Sequence, residues 1–388
     1  MTRVLEIVVA LIIVFVLIVL VGVVLPSHGH IERSVEVSNP LHQVYDTLNT
    51  YRRFPQWTAL RQEDSRVATS FSGAESGVGA KVNWTSANPD VGNGSLEIVG
   101  SQPDSQIKMA IDNDWKGANK AYTINLVPSQ NGKTVTINWA YDVDYGWNLI
   151  WRYAGLYING QPAARIQENL STVSAMMASF PNVDYKDQKI QVVDVAARPI
   201  LFVATKAKRT LDDVAEATDT AMKQIADAMK AAGLNAAGPR MTITTNWGED
   251  NYEFSVAVPV DANTITIDKQ SYPIEPVAKE SASSEGEDTS DGEPPTLTPG
   301  QKDPDGFLIV TANVRATMSY GGKALETDYT GSPAALPLMR LMEKAYAETH
   351  GYQYSEFGEG RFWDELTSAP DVAEDQQTFK IYLPILTQ

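Results

Sequence analysis

No cysteine occurs in the 388 residues. Disulfides, thiolate metal sites and cysteine nucleophiles are therefore excluded together, while both oxidising and reducing compartments stay open. Histidine is almost as scarce, with His28, His30, His42 and His350 alone. His28 and His30 form a His-x-His pair, but a metal needs further ligands and none lie nearby in sequence, so no metal is expected. His42, inside a helix, and His350, near a helix end, read as charge-complementing or capping residues. Positive charge is short too: 31 Lys and Arg face 48 Asp and Glu, for a net charge of -17. Without a basic stripe to neutralise phosphates, nucleic acid is not an expected partner. The G-x-S-x-G elbow is missing, which disfavours a serine hydrolase. The glycines of GVGAKVNW precede a strand instead of joining a strand to a helix, so they are turn residues and not a dinucleotide fingerprint. No cofactor is expected.

What the chain does have is one long apolar run. Residues 7–25, IVVALIIVFVLIVLVGVVL, carry no charge, and a helix rising about 1.5 Å per residue over that length crosses the roughly 30 Å hydrocarbon core. A cleavable signal has a shorter apolar stretch and a small-x-small site. Here the run ends in Leu25-Pro26-Ser27-His28-Gly29-His30, without an A-x-A pattern. Residues 4–25 are accordingly read as a transmembrane anchor, with the lipid bilayer as a partner. Arg3 on the short side is set against Arg33 on the other, and the reading taken is N-terminus inside. The expected protein is single-pass, in a bacterial inner membrane, with its soluble domains on the periplasmic side.

Beyond the anchor, residues 31–37 alternate Ile31, Arg33, Val35 and Val37 against Glu32, Ser34 and Glu36, the period of a strand. Ser38-Asn39-Pro40 starts a helix, with Asn39 or Ser38 as cap, Pro40 in the first turn, and Leu41, Val44, Tyr45 and Leu48 at helical spacing. Strands follow at 79–84, 94–99, 106–111, 121–127 and 134–143, separated by turn signals of which Asn131-Gly132 is the strongest. A helix with Ile158, Ile166, Leu170, Val173 and Met177 as its apolar positions closes the region. A meander ending in such a helix has to wrap it.

Residues 188–388 show an internal repeat of a strand, a helix and two strands. In the first copy these are 190–204, 211–232, 241–245 and 252–260. In the second they are 307–320, 334–349, 361–367 and 378–383. Between the copies, residues 275–306 are rich in Glu, Asp, Ser, Gly and Pro and are expected to be a disordered acidic insertion. The expected fold class is α+β.

Two resemblances follow from these segments. The opening IERSVEVSNPLHQVYDTLNTYRRFPQW and the later GVGAKVNWTSANPDVGNGSLEIV resemble START-like polyketide cyclase/dehydrase (SRPBCC) domains over residues 31–180. That likeness implies a helix-grip fold enclosing an apolar cavity. Residues 241–260, ending in Val258-Pro259-Val260, and the closing FWDELTSAP with FKIYLPI resemble the gyrase-inhibitor-like effector-binding domain over residues 188–388. That likeness implies a pseudo-duplicated strand-helix-hairpin module holding cationic or aromatic ligands between its halves. It comes without a helix-turn-helix module.

For the START-like cavity the candidate lining is Trp57, Trp84, Trp115, Tyr122, Trp139 and Tyr141, large rings whose polar tips can orient a ligand. In the second region the places matching the family hold Trp247, Tyr252, Phe254, Trp363, Glu365 and Tyr382. Trp363 and Glu365, two apart in a strand, share a face. Lys380 stands where the family usually has an acid, which favours an anionic or neutral ligand. Catalytic residues are not assigned; Asp142, Asp144 and Glu365 are the carboxylates to weigh for acid-base chemistry. The leading expectation is a membrane-tethered protein that binds or senses small apolar or amphipathic ligands, and the alternative is a cyclase- or hydrolase-type enzyme.

Overall fold

The computed structural model describes residues 2–277, 298–355, 361–369 and 371–386. Residues 278–297, the bulk of the acidic insertion, lie outside the described residues. The chain divides into two compact units, Met1–Lys186 with Glu348–Gly351, and Asp187–Ala347 with Tyr352–Gln388.

The first unit begins with helix α1, Thr2–Val24, the apolar run, whose side chains are almost all exposed. It is long and apolar enough to cross a membrane. Strand β1 (His28–Val37) follows at once, then three short helices, α2 (Leu41–Leu48), α3 (Phe54–Trp57) and α4 (Leu60–Glu63). Pro40 takes the N-cap position of α2, and its carbonyl accepts from Val44 N at 3.0 Å. Asn39 does not cap: its amide donates to Gln43 Oε1 and to the Met177 carbonyl, both at 3.0 Å.

A meander then runs through β2 (Ala68–Gly73), β3 (Ala80–Thr85), β4 (Gly94–Gln102), β5 (Gln106–Asn113), β6 (Ala118–Pro128) and β7 (Val135–Asp144). The sheet order is β1-β7-β6-β5-β4-β3-β2, with each described pair antiparallel. After β7 come a short helix α5 (Leu149–Ala154), a 3-10 turn (Gly155–Tyr157) and α6 (Gln161–Met177). Ile166, Leu170, Val173 and Met177 of α6 are fully buried in one core with Ile98, Ile107, Met109, Ile124, Ile137 and Trp139 of the sheet. The sheet grips the helix, which makes this unit a helix-grip fold. Each such apolar side chain contributes about 1.5–3 kcal/mol by leaving water. Strand β2 and helix α5 are elements that the periodicity of residues 60–78 and 145–157 does not announce.

The second unit contains β8 (Ile190–Val195), β9 (Pro199–Lys208), α7 (Leu211–Ala232), β10 (Met241–Trp247), β11 (Asn251–Pro259), a small hairpin of β12 (Thr264–Ile267) and β13 (Gln270–Pro273), β14 (Leu308–Ile309), β15 (Arg315–Met318), β16 (Gly322–Thr330), α8 (Leu336–His350) up to Ala347, β17 (Trp363–Leu366) and β18 (Thr378–Pro384). Thr210 caps α7 by accepting from Asp213 N at 3.2 Å, and Gly233 ends it with φ of 71°. The main sheet has the order β14-β15-β9-β11-β10-β17-β18-β16-β8.

From β15 to β8 that order is a palindrome about the β10-β17 seam. Strands β9, β10 and β11 with α7 match β16, β17 and β18 with α8, and the two prolines occupy equivalent places: Pro259 pairs with Ile200 and Pro384 with Ala324. The duplication read from the sequence is present, but its leading strand differs. Residues 190–204 are broken before Pro199, which starts β9 because proline has no N–H to give a ladder. Residues 307–320 hold β14 and β15, and the true partner of β9 is β16. The two leading strands are exchanged: β8 pairs with β16 of the other half, and β15 with β9. Helices α7 and α8 pack on the same face of the sheet, with β9 and β11 under α7 and β17 and β18 under α8.

Trp139 is fully buried at the centre of the first unit's core. Trp139→Ala is expected to destabilise that unit by about 3–5 kcal/mol, read as a lowered midpoint in urea unfolding of the full chain.

Candidate functional site

The six rings proposed for the first unit meet in one cluster. Trp57 lies 5.8 Å from Trp139, Tyr122 lies 5.4 Å from Trp139 and 5.7 Å from Tyr141, and Trp115 lies 5.4 Å from Tyr141. Phe54 links Trp57, at 4.9 Å, to Trp84, at 6.4 Å. The rings pack on each other so fully that the void among Phe54, Trp84, Tyr122, Arg165 and Asn169 has a volume of about 20 Å³, room for about one water molecule. Burial pushes the Tyr122 and Tyr141 hydroxyls above their ordinary range. At the void's edge Arg165 pairs with Glu63 and lies 5.0 Å over the Trp115 ring.

Inward and outward residues alternate on β7, so Asp142 and Asp144 point away from this interior. They face β1, where Asp142 meets His30 at 2.7 Å and Asp144 meets His28 across the ladder. Hydrogen bonds from Asn119 and His28 hold the Asp144 carboxyl below its usual range. His42 is bonded to Asp104 at 2.9 Å and lies 3.3 Å from Asp46.

In the second unit the six predicted residues separate onto opposite faces of the sheet. Tyr252 and Phe254 stack at 4.5 Å under α7, with Trp247 4.7 Å from Tyr252 and Arg209 4.3 Å over the Trp247 ring. Trp363 and Tyr382 stack at 4.6 Å on the other face, and Tyr320 lies 5.7 Å from Trp363. Trp363 and Glu365 do share that face: the indole N–H is 3.4 Å from Glu365 Oε1. Glu365 forms an ion pair with Arg198, which sequence reading passed over. Lys380 is taken up by Glu326 at 2.9 Å and Asp328 at 3.4 Å. Desolvation pushes the Glu326 carboxyl up, but bonds from Lys380, Tyr382 and Gln191 outweigh it and hold it low. Every charge named on this face thus has a partner of opposite sign.

Sequence reading also passed over a buried polar group on the helix-covered face. Arg340 of α8 pairs with Asp364 of β17 and lies 5.9 Å from the Tyr252 ring centre. One turn on, Glu343 is fully buried, and neither carboxyl oxygen is in hydrogen-bonding geometry with a described residue. Burial raises its pKa well above the usual carboxylate range, against smaller opposing effects of Thr327 and Arg340. A signal existed: positions 336, 340, 343 and 347 fall on one helical stripe, and two of the four are charged.

The large opening of the second unit lies elsewhere. A cleft of about 1000 Å³ runs along residues 202–208 of β9, with Asp213, Glu216, Ala217 and Gln224 of α7 on one side and Asp303, Phe307 and Arg315 on the other. It exists because β15 pairs with β9 only as far as Phe202. The Arg198 carbonyl accepts from Ser319 N on the β15 side, and the Pro199 carbonyl from Val260 N on the β11 side. By that alternation the backbone groups of Ala204 and Lys206 turn toward the cleft. Its apolar lining includes Phe202, Val203, Ala217, Ala221 and Phe307; Arg315 is bound to Asp303 at 2.9 Å and Lys206 to Glu253 at 2.9 Å.

Fold and site together define an α+β protein with an N-terminal apolar helix, a helix-grip unit and a pseudo-duplicated unit bearing an open cleft. No protein-family model matches the chain, and no curated protein matches it. Among solved structures it is similar to norcoclaurine synthase from Thalictrum flavum, in complex with dopamine and hydroxybenzaldehyde, at 14% identity over 39% of this chain and 87% of that one, with a TM-score of 0.32. It is similar to the EcmrR C-terminal domain at 10% identity over 52% and 99%, with a TM-score of 0.34. A protein of Nitrosospira multiformis matches at 16% identity over 39% and 97%, with a TM-score of 0.29. The fold itself follows from the strand order and register given above.

Two outcomes are expected for the buried polar group. Unfolded Glu343 ionises near the ordinary glutamate value while the folded residue keeps its proton, so the folded state binds more protons and this site's stability falls as pH rises above that value, by up to about 1.4 kcal/mol per pH unit. Glu343→Gln removes the effect: the variant melts above the parent at pH 8, and the difference closes as pH approaches 4.5. Asp364→Ala leaves Arg340 buried and unpaired and is expected to cost about 3–5 kcal/mol, whereas Arg340→Met with Asp364→Leu costs far less; urea unfolding of the variants measures both.

Proposed function

We propose that this chain is a membrane-tethered binding protein for small amphipathic molecules, and that the cleft of the second unit is its ligand site. One observation carries the reading: the second unit has an open volume of about 1000 Å³, while the void among the first unit's rings is about 20 Å³. A drug-sized ligand needs a few hundred Å³ and a mostly apolar lining with a few polar groups. The cleft has the volume, and its lining mixes apolar Phe202, Val203, Ala217, Ala221 and Phe307 with a larger polar share that includes Glu216, Asp305, Lys208 and the free edge of β9, a mixture that suits an amphipathic ligand more than a wholly apolar one. In this reading the START-like unit is a filled support and the effector-binding-like unit does the sensing. The N-terminal helix holds both at a bacterial inner membrane with the soluble units on the periplasmic side. The carboxylates weighed for an enzyme are committed elsewhere: Asp142 and Asp144 to histidines on an outer face, Glu365 to Arg198.

The test is fluorescence titration of the full chain in nanodiscs with a neutral and a cationic amphipathic dye. Ala217→Trp, which fills the cleft from α7, is expected to weaken binding at least tenfold, about 1.4 kcal/mol. Trp115→Phe, in the first unit, is expected to leave it unchanged. Failure of the parent chain to bind either dye would overturn the proposal, and equal loss in both variants would move the site out of the cleft.

A further inference from the structure

Helix α1 does not leave the folded unit as a free tail. Its one glycine, Gly22, is buried against α5, and a Cβ placed there would stand 3.2 Å from Leu149 Cβ and from Tyr153 Cε2. Arg152 donates to the carbonyls of Val23, at 2.8 Å, and Leu25, at 3.1 Å, capping the helix with a cation at its negative end. The Tyr153 hydroxyl donates to the Ile18 carbonyl at 2.6 Å. Ile18 lies six residues before the end of α1, about 9 Å down the helix at 1.5 Å per residue. If α1 spans the bilayer, its partner α5 is carried below the level at which α1 emerges.

The side chains around α5 suit that depth. Outside α1, the three most exposed large apolar side chains among the described residues are Trp147, Ile150 and Tyr157, at 84, 78 and 76%. Leu156 stands beside them at 59%. All four fall within eleven residues, whereas exposed apolar side chains elsewhere are scattered. Residues 145–160, YGWNLIWRYAGLYING, contain no acid in a chain with 48 of them, and their one cation, Arg152, is turned inward onto α1. An uncharged patch rimmed by Trp and Tyr is the composition of a membrane-water interface.

We infer that α5 and the 3-10 turn after it form a second membrane contact, a wedge seated among the headgroups and upper acyl chains of the leaflet from which α1 emerges, with lipid as its occupant. The wedge fixes the tilt of the first unit over the bilayer, because a single helix leaves the unit free to swing whereas a helix and a wedge side by side do not. It also gives the retained helix a docking partner that a discarded leader would lack. The inference rests on α1 being membrane-spanning.

The chain lacks cysteine, so single sites can be labelled without removing any. Nitroxide labels on Ile13→Cys, Ile150→Cys, Leu156→Cys and, as a solvated control, Val78→Cys of the full chain would be read by power saturation in phosphatidylethanolamine/phosphatidylglycerol vesicles. The expected result at Ile150 and Leu156 is loss of collision with a water-soluble nickel chelate and gain of collision with oxygen, relative to Val78. Accessibility to the chelate equal to that at Val78, with Ile13 lipid-exposed, overturns the wedge and leaves the anchor standing. Shielding from both reagents overturns it in favour of a protein contact. A chelate-accessible Ile13 removes the anchor and the wedge together.

Discussion

The guanidinium of Arg152 joins what would otherwise be two unrelated parts of the chain. It donates to Gly146 O in the turn that leaves β7, and to the last carbonyls of α1. The last four carbonyls of any helix lack partners within it. A buried cation with several such bonds is worth more than a neutral donor, about 1.5–3 kcal/mol for each charged hydrogen bond. Because β7 pairs with β1 along its whole length, the same arginine sets where the sheet begins relative to the apolar helix. The seating of α5 against the end of α1 descends from this contact.

From that fixed end the first unit is built inward as a solid body. Six large rings and Phe54 occupy the interval between sheet and α6, where a more open helix-grip fold would keep its cavity. The indole N–H groups of Trp57, Trp84 and Trp139 are buried without partners, and each costs about 1–3 kcal/mol of desolvation. Burial of the rings offsets this, since each takes some 150–250 Å² out of water. A unit that spends tryptophans on filling its own centre is suited to rigidity. Openness is found in the second unit, where the short reach of β15 leaves a strand edge and a large cleft.

How much of this could be read in the sequence depended on whether a residue's partner was local. The apolar run of α1, the alternation of β1, the helical stripe of α6 and the Asn131-Gly132 turn are all near-neighbour patterns, and each element is present. Of the rings named for the first unit, Trp139 and Tyr141 share the inward face of β7 at alternate positions, as the strand period requires, but the sequence did not show that the six would pack on one another as core. The set in the second unit was half legible: Trp363 and Glu365 do share a face, but Tyr252 and Phe254 lie on the other. Strand parity within one segment says nothing about which face a distant segment presents. The same limit hid Arg198 as the partner of Glu365, 167 positions away, and the exchange of β8 and β15. Strand β16 was missed for a local reason, since Gly321 and Gly322 interrupt a run that otherwise reads as continuous from β15.

The exchange of leading strands bears on why the cleft lies along β9. Each half covers the edge of the other, so neither half has a closed sheet alone. The coverage is unequal: β8 pairs along six residues of β16, from Gly322 to Thr327, whereas β15 pairs along four of β9, from Pro199 to Phe202. Aligning Ile200 with Ala324 places Phe202 opposite Glu326. One half thus puts a ring where the other puts a carboxylate held by Lys380, Tyr382 and Gln191. Phe202 lies 4.9 Å from Phe307 at the mouth of the cleft, edge to face, so the apolar member of the pair faces the opening. Departure from symmetry, in strand length and in that one residue, leaves an open strand edge beside an aromatic ring on one side and an ion-paired network at the counterpart position on the other.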